Sequence, residues 1–131
     1  MKYYIFLDDI RQPHYIQKVP GVPQNVKWDI VRSYDEFVNL LDSKDDLPEF
    51  ISYDHDLCLD AVREYIRNED KKTFNYYKKP MKPTGLECVK YILDRCKKEN
   101  VKHPKYYIHS SNPIGADNMR NLIDQHNANI K

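Results

Sequence analysis

Apolar residues gather into four short runs along the chain, and three of these stop at clusters of polar side chains. The first run, residues 2–7, ends at Asp8-Asp9. A continuous apolar run that ends on carboxylates predicts a buried parallel strand whose carboxyl end lies at a functional edge. Residues 11–25 carry Pro13, Pro20, Gly21 and Pro23 and read as loop. A second strand is expected at about 26–32, around Trp28, Ile30 and Val31. The third, residues 49–53, runs into Asp54-His55-Asp56, and the fourth, 106–108, into His109-Ser110-Ser111-Asn112.

Helices alternate with these strands. Ser33 and Glu36 form a capping box, in which hydroxyl and carboxylate satisfy free amides, ahead of an apolar face of Phe37, Leu40 and Leu41. Thr84 and Glu87 form a second box, opening a helix striped by Leu86, Val89, Leu93 and Cys96 with Ile92 beside them, which ends near Asn100. Asn112 caps a closing helix whose first position is Pro113 and whose apolar residues are Met119, Leu122 and Ile123. Residues 57–82 form an irregular insert or flap, with a helix through Leu59, Val62 and Ile66 at its start. This alternation predicts an α/β sandwich of three layers around a short parallel sheet. Right-handed crossovers set the strand order at 2-1-3-4 and bring every strand end named above to one edge. In such sheets ligands bind outside the carboxyl ends of the strands.

Composition narrows the class. With 131 residues the chain is expected to be a single domain, 1–131, with a core that needs no staples. A net charge of +1 excludes a globally basic nucleic-acid binder but not a local basic patch. No apolar run approaches the roughly 20 residues of a membrane span and the N-terminus shows no signal-peptide pattern, so a cytoplasmic protein is expected. The three cysteines, Cys58, Cys88 and Cys96, are odd in number and form no CxxC, which makes them reduced core fillers. Only three glycines occur, so each one asks for a reason.

The chemistry gathers at the strand ends. Asp8, Asp9, Asp54 and Asp56 would place four carboxylates together, and like charges raise one another's pKa unless a cation sits among them. Mg²⁺ or Mn²⁺ suits such oxygen ligands; Arg11 with an incoming lysine is the metal-free solution. Taken singly, each Asp is equally a turn residue. His55 and His109 lie just past strand ends on the same edge, and one as base with the other as acid is the arrangement that opens a cyclic phosphodiester. Either is also a side chain that a backbone carbonyl or an aspartate simply orients. His14, His103 and His126 read as loop or surface residues. The helix starts at Thr84-Gly85 and Asn112-Pro113 offer free amides to a phosphate, with Ser110 and Ser111 as further donors, although ordinary capping accounts for both boxes. Lysines 71, 72, 78, 79 and 82, interleaved with Phe74, Tyr76 and Tyr77, form either a nucleic-acid-facing flap or a solvated charged loop.

Residues 6–11 (FLDDIR), 51–57 (ISYDHDL), Thr84-Gly85 and 109–119 (HSSNPIGADNM) together resemble the cyclic-phosphate-processing receiver-like domain family, across about residues 3–123. The resemblance implies a divergent two-component receiver, a compact receiver- or flavodoxin-like α/β domain. It also implies processing of cyclic phosphate ends of RNA or of cyclic nucleotides, in repair or in bacterial and phage conflict. On that pattern Asp8 and Asp9 match the metal-binding acidic pair, Asp54 the phosphoacceptor position, and Ser110 the hydroxyl position after the fourth strand. Three departures stand out: no lysine follows a fifth strand, a proline-rich loop replaces the first helix, and two histidines occupy the edge. An acyl-phosphate switch is therefore not expected.

The expected function is a phosphoesterase acting on a cyclic phosphate in RNA or a nucleotide. His109, His55 and Asp54 would be catalytic; Arg11, Thr84, Gly85, Ser110, Asn112 and Asn118 would bind phosphate; Asp8, Asp9, Asp54 and Asp56 would hold Mg²⁺ or Mn²⁺. Metal-activated water and metal-free two-histidine catalysis both fit this set. The rival reading is a non-catalytic module that binds a metal, a nucleotide or a partner protein.

Overall fold

A computed structural model describes residues 2–57, 84–110 and 112–130. The basic flap at 71–82, the helix expected through Leu59, Val62 and Ile66, and Cys58 and Ser111 lie outside the described residues. Four strands, β1 (Tyr4–Leu7), β2 (Trp28–Val31), β3 (Phe50–Tyr53) and β4 (Lys105–Ile108), pair in parallel in the order β2-β1-β3-β4. Among the described residues three α-helices, α1 (Tyr34–Asp42), α2 (Gly85–Glu99) and α3 (Pro113–Asn129), complete a receiver- or flavodoxin-like α/β fold. The strand order is the one expected from the sequence.

Handedness decides which face each connection covers. The chain moves one way across the sheet from β1 to β2 and the other way from β2 to β3 and on to β4. Right-handed crossovers must then put the first connection on one face and α1 and α2 on the other. The packing agrees. Ile5, Leu7, Ile51 and Tyr53 bury against Phe37 and Leu41 of α1, Val89 and Ile92 of α2, and Met119 and Ile123 of α3. The alternate residues Phe6 and Phe50 meet Ile16 and Val22 instead. The third layer is thus the proline-rich loop, within which Pro13–Ile16 wind into a single 3-10 turn rather than plain coil. Proline at the start of that turn supplies its φ at no cost.

The capping residues sit where the sequence puts them, with half of each box made. Ser33 accepts from the Glu36 amide at 3.2 Å, and Asn112 Oδ1 accepts from the Gly115 amide at 2.9 Å. Thr84 accepts from the Leu86 amide at 3.2 Å, while Glu87 turns to Lys90 at 3.7 Å. Cys88 and Cys96 are core fillers as expected, and burial pushes both thiols up, Cys96 to about 11.

Two histidines read as loop or surface residues are buried. His126 Nε2 lies 2.8 Å from the Val101 carbonyl oxygen. His103 donates from Nδ1 to the Pro104 carbonyl at 2.6 Å, so its Nε2 accepts from the Tyr53 hydroxyl at 2.7 Å. Burial pushes His103 down to about 4, which keeps it neutral. Both rings satisfy backbone groups at the edge of the core, a contact that sequence spacing does not encode.

Two of the three glycines have a steric reason. A Cβ on Gly85 would fall against the carbonyl oxygen of Asp54, and one on Gly115 against the His55 ring. The Asp54-His55 backbone is drawn in this far by the Gly85 amide, which donates to the His55 carbonyl at 2.8 Å. A helical Gly→Ala change ordinarily gains up to about 1 kcal/mol. Gly85→Ala should instead lose about 1–3 kcal/mol by overpacking, read as a lower urea midpoint at unchanged m-value.

Candidate functional site

The site begins with the sheet ladder running one residue beyond the strands. The Asp8 amide donates to Val31, that of Asp54 to Leu7 and that of His109 to Tyr53, at 3.1, 2.9 and 2.9 Å. Because Val31, Leu7, Tyr53 and Ile108 share one register, Arg32, Asp8, Asp54 and His109 form a row across all four strands. The residues before them face the helices, so this row falls on the face covered by the proline-rich loop.

Asp8 is fully buried and hydrogen-bonded on both carboxylate oxygens. Oδ1 accepts from the amides of Ile10 and Arg11 at 2.9 and 2.8 Å. Oδ2 accepts from His109 Nε2 at 3.0 Å and lies 3.5 Å from Arg11 Nη1. Burial alone would raise its pKa, but the His109 hydrogen bond, the two amides and the His109 charge together hold it well below the usual carboxylate range. Arg32 Nη1 donates to the main-chain oxygens of Asp8 at 3.2 Å and Arg11 at 2.5 Å, tying the turn to the end of β2.

His109 lies deeper than the sequence suggests, its side chain only 1% exposed. Its Nε2 faces Asp8 and its Nδ1 lies 2.7 Å from the Ser52 hydroxyl. The ring stacks on Phe6 with centroids 4.8 Å apart and meets the edge of Tyr15 at 6.1 Å. His55 is more open, at 16% side-chain exposure, and its Nδ1 bonds Asp56 Oδ1 at 2.8 Å. Asn112 Nδ2 approaches Asp56 Oδ1 at 3.4 Å.

Asp8, Asp9 and Asp54 each bring a carboxylate oxygen within 4.8 Å of the others. Burial, then the charge of Asp8, pushes Asp54 up to about 6 against the opposing effects of His109 and Arg11. Three convergent carboxylates fit the oxygen coordination of Mg²⁺ or Mn²⁺, and a cation there would relieve the charge that Asp54 otherwise carries against its surroundings. Asp56 stands apart from this trio, exposed and paired with His55.

The expected phosphate ligands divide. Arg11 sits at the carboxylates. Thr84 and Asn112 spend their side-chain oxygens on helix caps, and Ser110 Oγ accepts from the Asn112 amide at 3.0 Å. Gly85 is held against residues 54–55. Asn118 lines a groove between α2 and α3 with Leu86, Lys90 and Asn121, a place separate from the acidic trio. A second cleft of about 260 Å³ under the proline-rich loop, with Pro13, Ile16, Val22 and Trp28 in its wall, also contains none of the three carboxylates. Sequence reasoning missed Arg32, Ser52 and Tyr15. Arg32 carried a signal, a charge one residue past a strand end, and so did Ser52, a polar residue inside an apolar run.

Fold and site define a receiver-like domain with an acidic edge. The chain belongs to the cyclic-phosphate processing receiver domain family, which it matches over residues 3–125. No curated protein and no solved structure matches it. No helix among the described residues is long and apolar enough to cross a membrane.

A carboxyl raised from 3.8 to about 6 binds its proton more tightly in the folded chain than in the unfolded one. Folding stability contributed by Asp54 therefore falls as pH rises from about 4 to 6, and the cost persists at neutral pH. Asp8 behaves oppositely: its contribution is present above 3.8 and lost below it. Asp54→Asn should accordingly gain about 1–3 kcal/mol at pH 7 in chelator, a gain that vanishes below pH ~4. Added Mg²⁺ should raise the Tm of the wild type well above any rise in the variant.

Proposed function

We propose that the chain hydrolyses a cyclic phosphodiester, in RNA or in a small nucleotide, at the carboxyl edge of its sheet with a divalent cation held by Asp8, Asp9 and Asp54. The observation that carries this reading is the trio of carboxylates within 4.8 Å, one of them raised to about 6. A cation bound there neutralises carboxylate charge and polarises a phosphoryl oxygen. Arg11, beside Asp8, adds a fixed positive charge toward the same phosphate.

The two histidines take different roles. His55 donates Nδ1–H to Asp56, which leaves the Nε2 lone pair to take a proton from the attacking water or return one to the leaving oxygen. Asp56 orients it, and the bare α-carbon of Gly115 leaves room for the ring. His109 has both nitrogens bonded inside the protein, so it acts as a positioning residue that fixes the Asp8 carboxylate. Metal-free catalysis by a histidine pair draws less support from this geometry, because only one of the pair has a nitrogen to offer.

A binding module remains the second reading, and one observation favours it: Asp8 is already satisfied on both oxygens by protein donors. A mass-detected screen of 2′,3′-cyclic, 3′,5′-cyclic and cyclic oligonucleotide phosphates separates the two. Hydrolysis is expected with Mg²⁺ or Mn²⁺ and none with EDTA; a tightly bound nucleotide recovered unchanged would support the module instead. His55→Gln should lower kcat by about 10²–10⁴-fold with cation affinity intact. Asp9→Asn should weaken the cation and with it turnover.

A further inference from the structure

Beside the acidic trio the proline-rich loop carries an aromatic ring that packing does not explain. In the Pro13–Ile16 turn, Ile16 is sunk into the small core under the loop, yet its neighbour Tyr15 is 52% exposed. The turn is firm: Pro13 starts it, and the Tyr15 amide donates to the Gln12 carbonyl at 3.0 Å. One face of the Tyr15 ring carries the Arg11 guanidinium, whose carbon lies 4.6 Å from the ring centroid. The same guanidinium stands 3.5 Å from Asp8. The Tyr15 ring also meets the edge of His109, which bonds Asp8.

We infer that the Tyr15–Arg11 pair is a seat for a nucleobase, so that the phosphate ester taken by this site is a nucleotide or a nucleotide end rather than a sugar or polyol phosphate. The inference rests on the phosphate reading of the carboxylate edge and names the side chains that hold the base of its substrate. A guanidinium plane and a phenol ring are the two surfaces on which bases stack, and stacking contributes about 1–3 kcal/mol per base whatever its identity. One arginine touches both the ring and Asp8, so a base on this pair would lie close to a phosphate at the carboxylates. Ile10, between the acidic pair and Arg11, is 58% exposed and adds apolar surface there. Apolar surface of that kind suits a base and not a polyol.

The test compares binding of adenosine 3′-monophosphate and inorganic phosphate, both with Mg²⁺, by calorimetry and by NMR of the adenine protons. The wild type should bind the nucleotide more tightly than phosphate and shift the adenine protons upfield through the tyrosine ring current. Tyr15→Ala should weaken the nucleotide by roughly 5- to 150-fold, abolish that shift and leave phosphate binding unchanged; Tyr15→Phe should behave as the wild type. Equal losses for both ligands would mean that Tyr15 acts on Arg11 or on the fold, and would overturn the seat. So would an unchanged nucleotide affinity in Tyr15→Ala, or a wild type that binds neither ligand. A Tyr15-dependent base shift in a chain that hydrolyses no cyclic phosphate would keep the seat and remove the catalytic reading.

Discussion

A carboxylate with no access to solvent must be hydrogen-bonded throughout or cost several kcal/mol, and Asp8 is such a carboxylate. Its partners come from every layer near it. Its own turn supplies two amides, β4 delivers His109, β2 delivers Arg32 to the backbone beneath, and β3 supplies the Ser52 that fixes the His109 ring. The site is therefore not a set of residues placed on a finished fold. Moving β4 by a register step would take His109 from Asp8, and moving β2 or β3 would take Arg32 from the turn or Ser52 from His109, so the acidic centre is tied to the alignment of the sheet.

The same economy of space governs the neighbouring segment. Asp54 and His55 run between the first turns of α2 and α3, and the two helices come close enough only because Gly85 and Gly115 lack side chains at the contacts. Packing one strand end against two helix starts keeps Asp54 buried and beside Asp8 although the charges repel, and burial first, then that repulsion, raises the pKa of Asp54. Favourable contacts in the scaffold thus hold together charges that would separate if left to themselves.

Much of this could be read from the sequence. Apolar runs ending in Asp8-Asp9, in Asp54-His55-Asp56 and in His109 located the edge, and handedness then fixed the order of strands. Helix starts were legible because caps are local chemistry, carried by Ser33, Thr84 and Asn112. What escaped was the direction of side chains. Nothing in the spacing says that Asp56 turns to His55, that His109 reaches inward to Ser52, or that Asn118 faces the groove between two helices. Nor does it reveal His103 and His126 as buried, since His103 meets the Tyr53 hydroxyl of β3 and His126 the Val101 carbonyl, contacts that join residues far apart in the chain. Strand ends are set by local rules; the aim of a side chain depends on what the rest of the chain leaves open.

The unequal covering of the two sheet faces has a consequence of its own. All three described helices share one face with the large apolar core, while the residues of the acidic row point to the other, covered by a loop anchored through Ile16 and Val22. The acidic row and the larger of the two apolar cores are thereby set on opposite faces of the sheet. With Ile16 and Val22 kept as anchors, the exposed loop positions around them can change without entering the helical core, so this architecture separates room for change beside the acidic row from the obligation to remain folded.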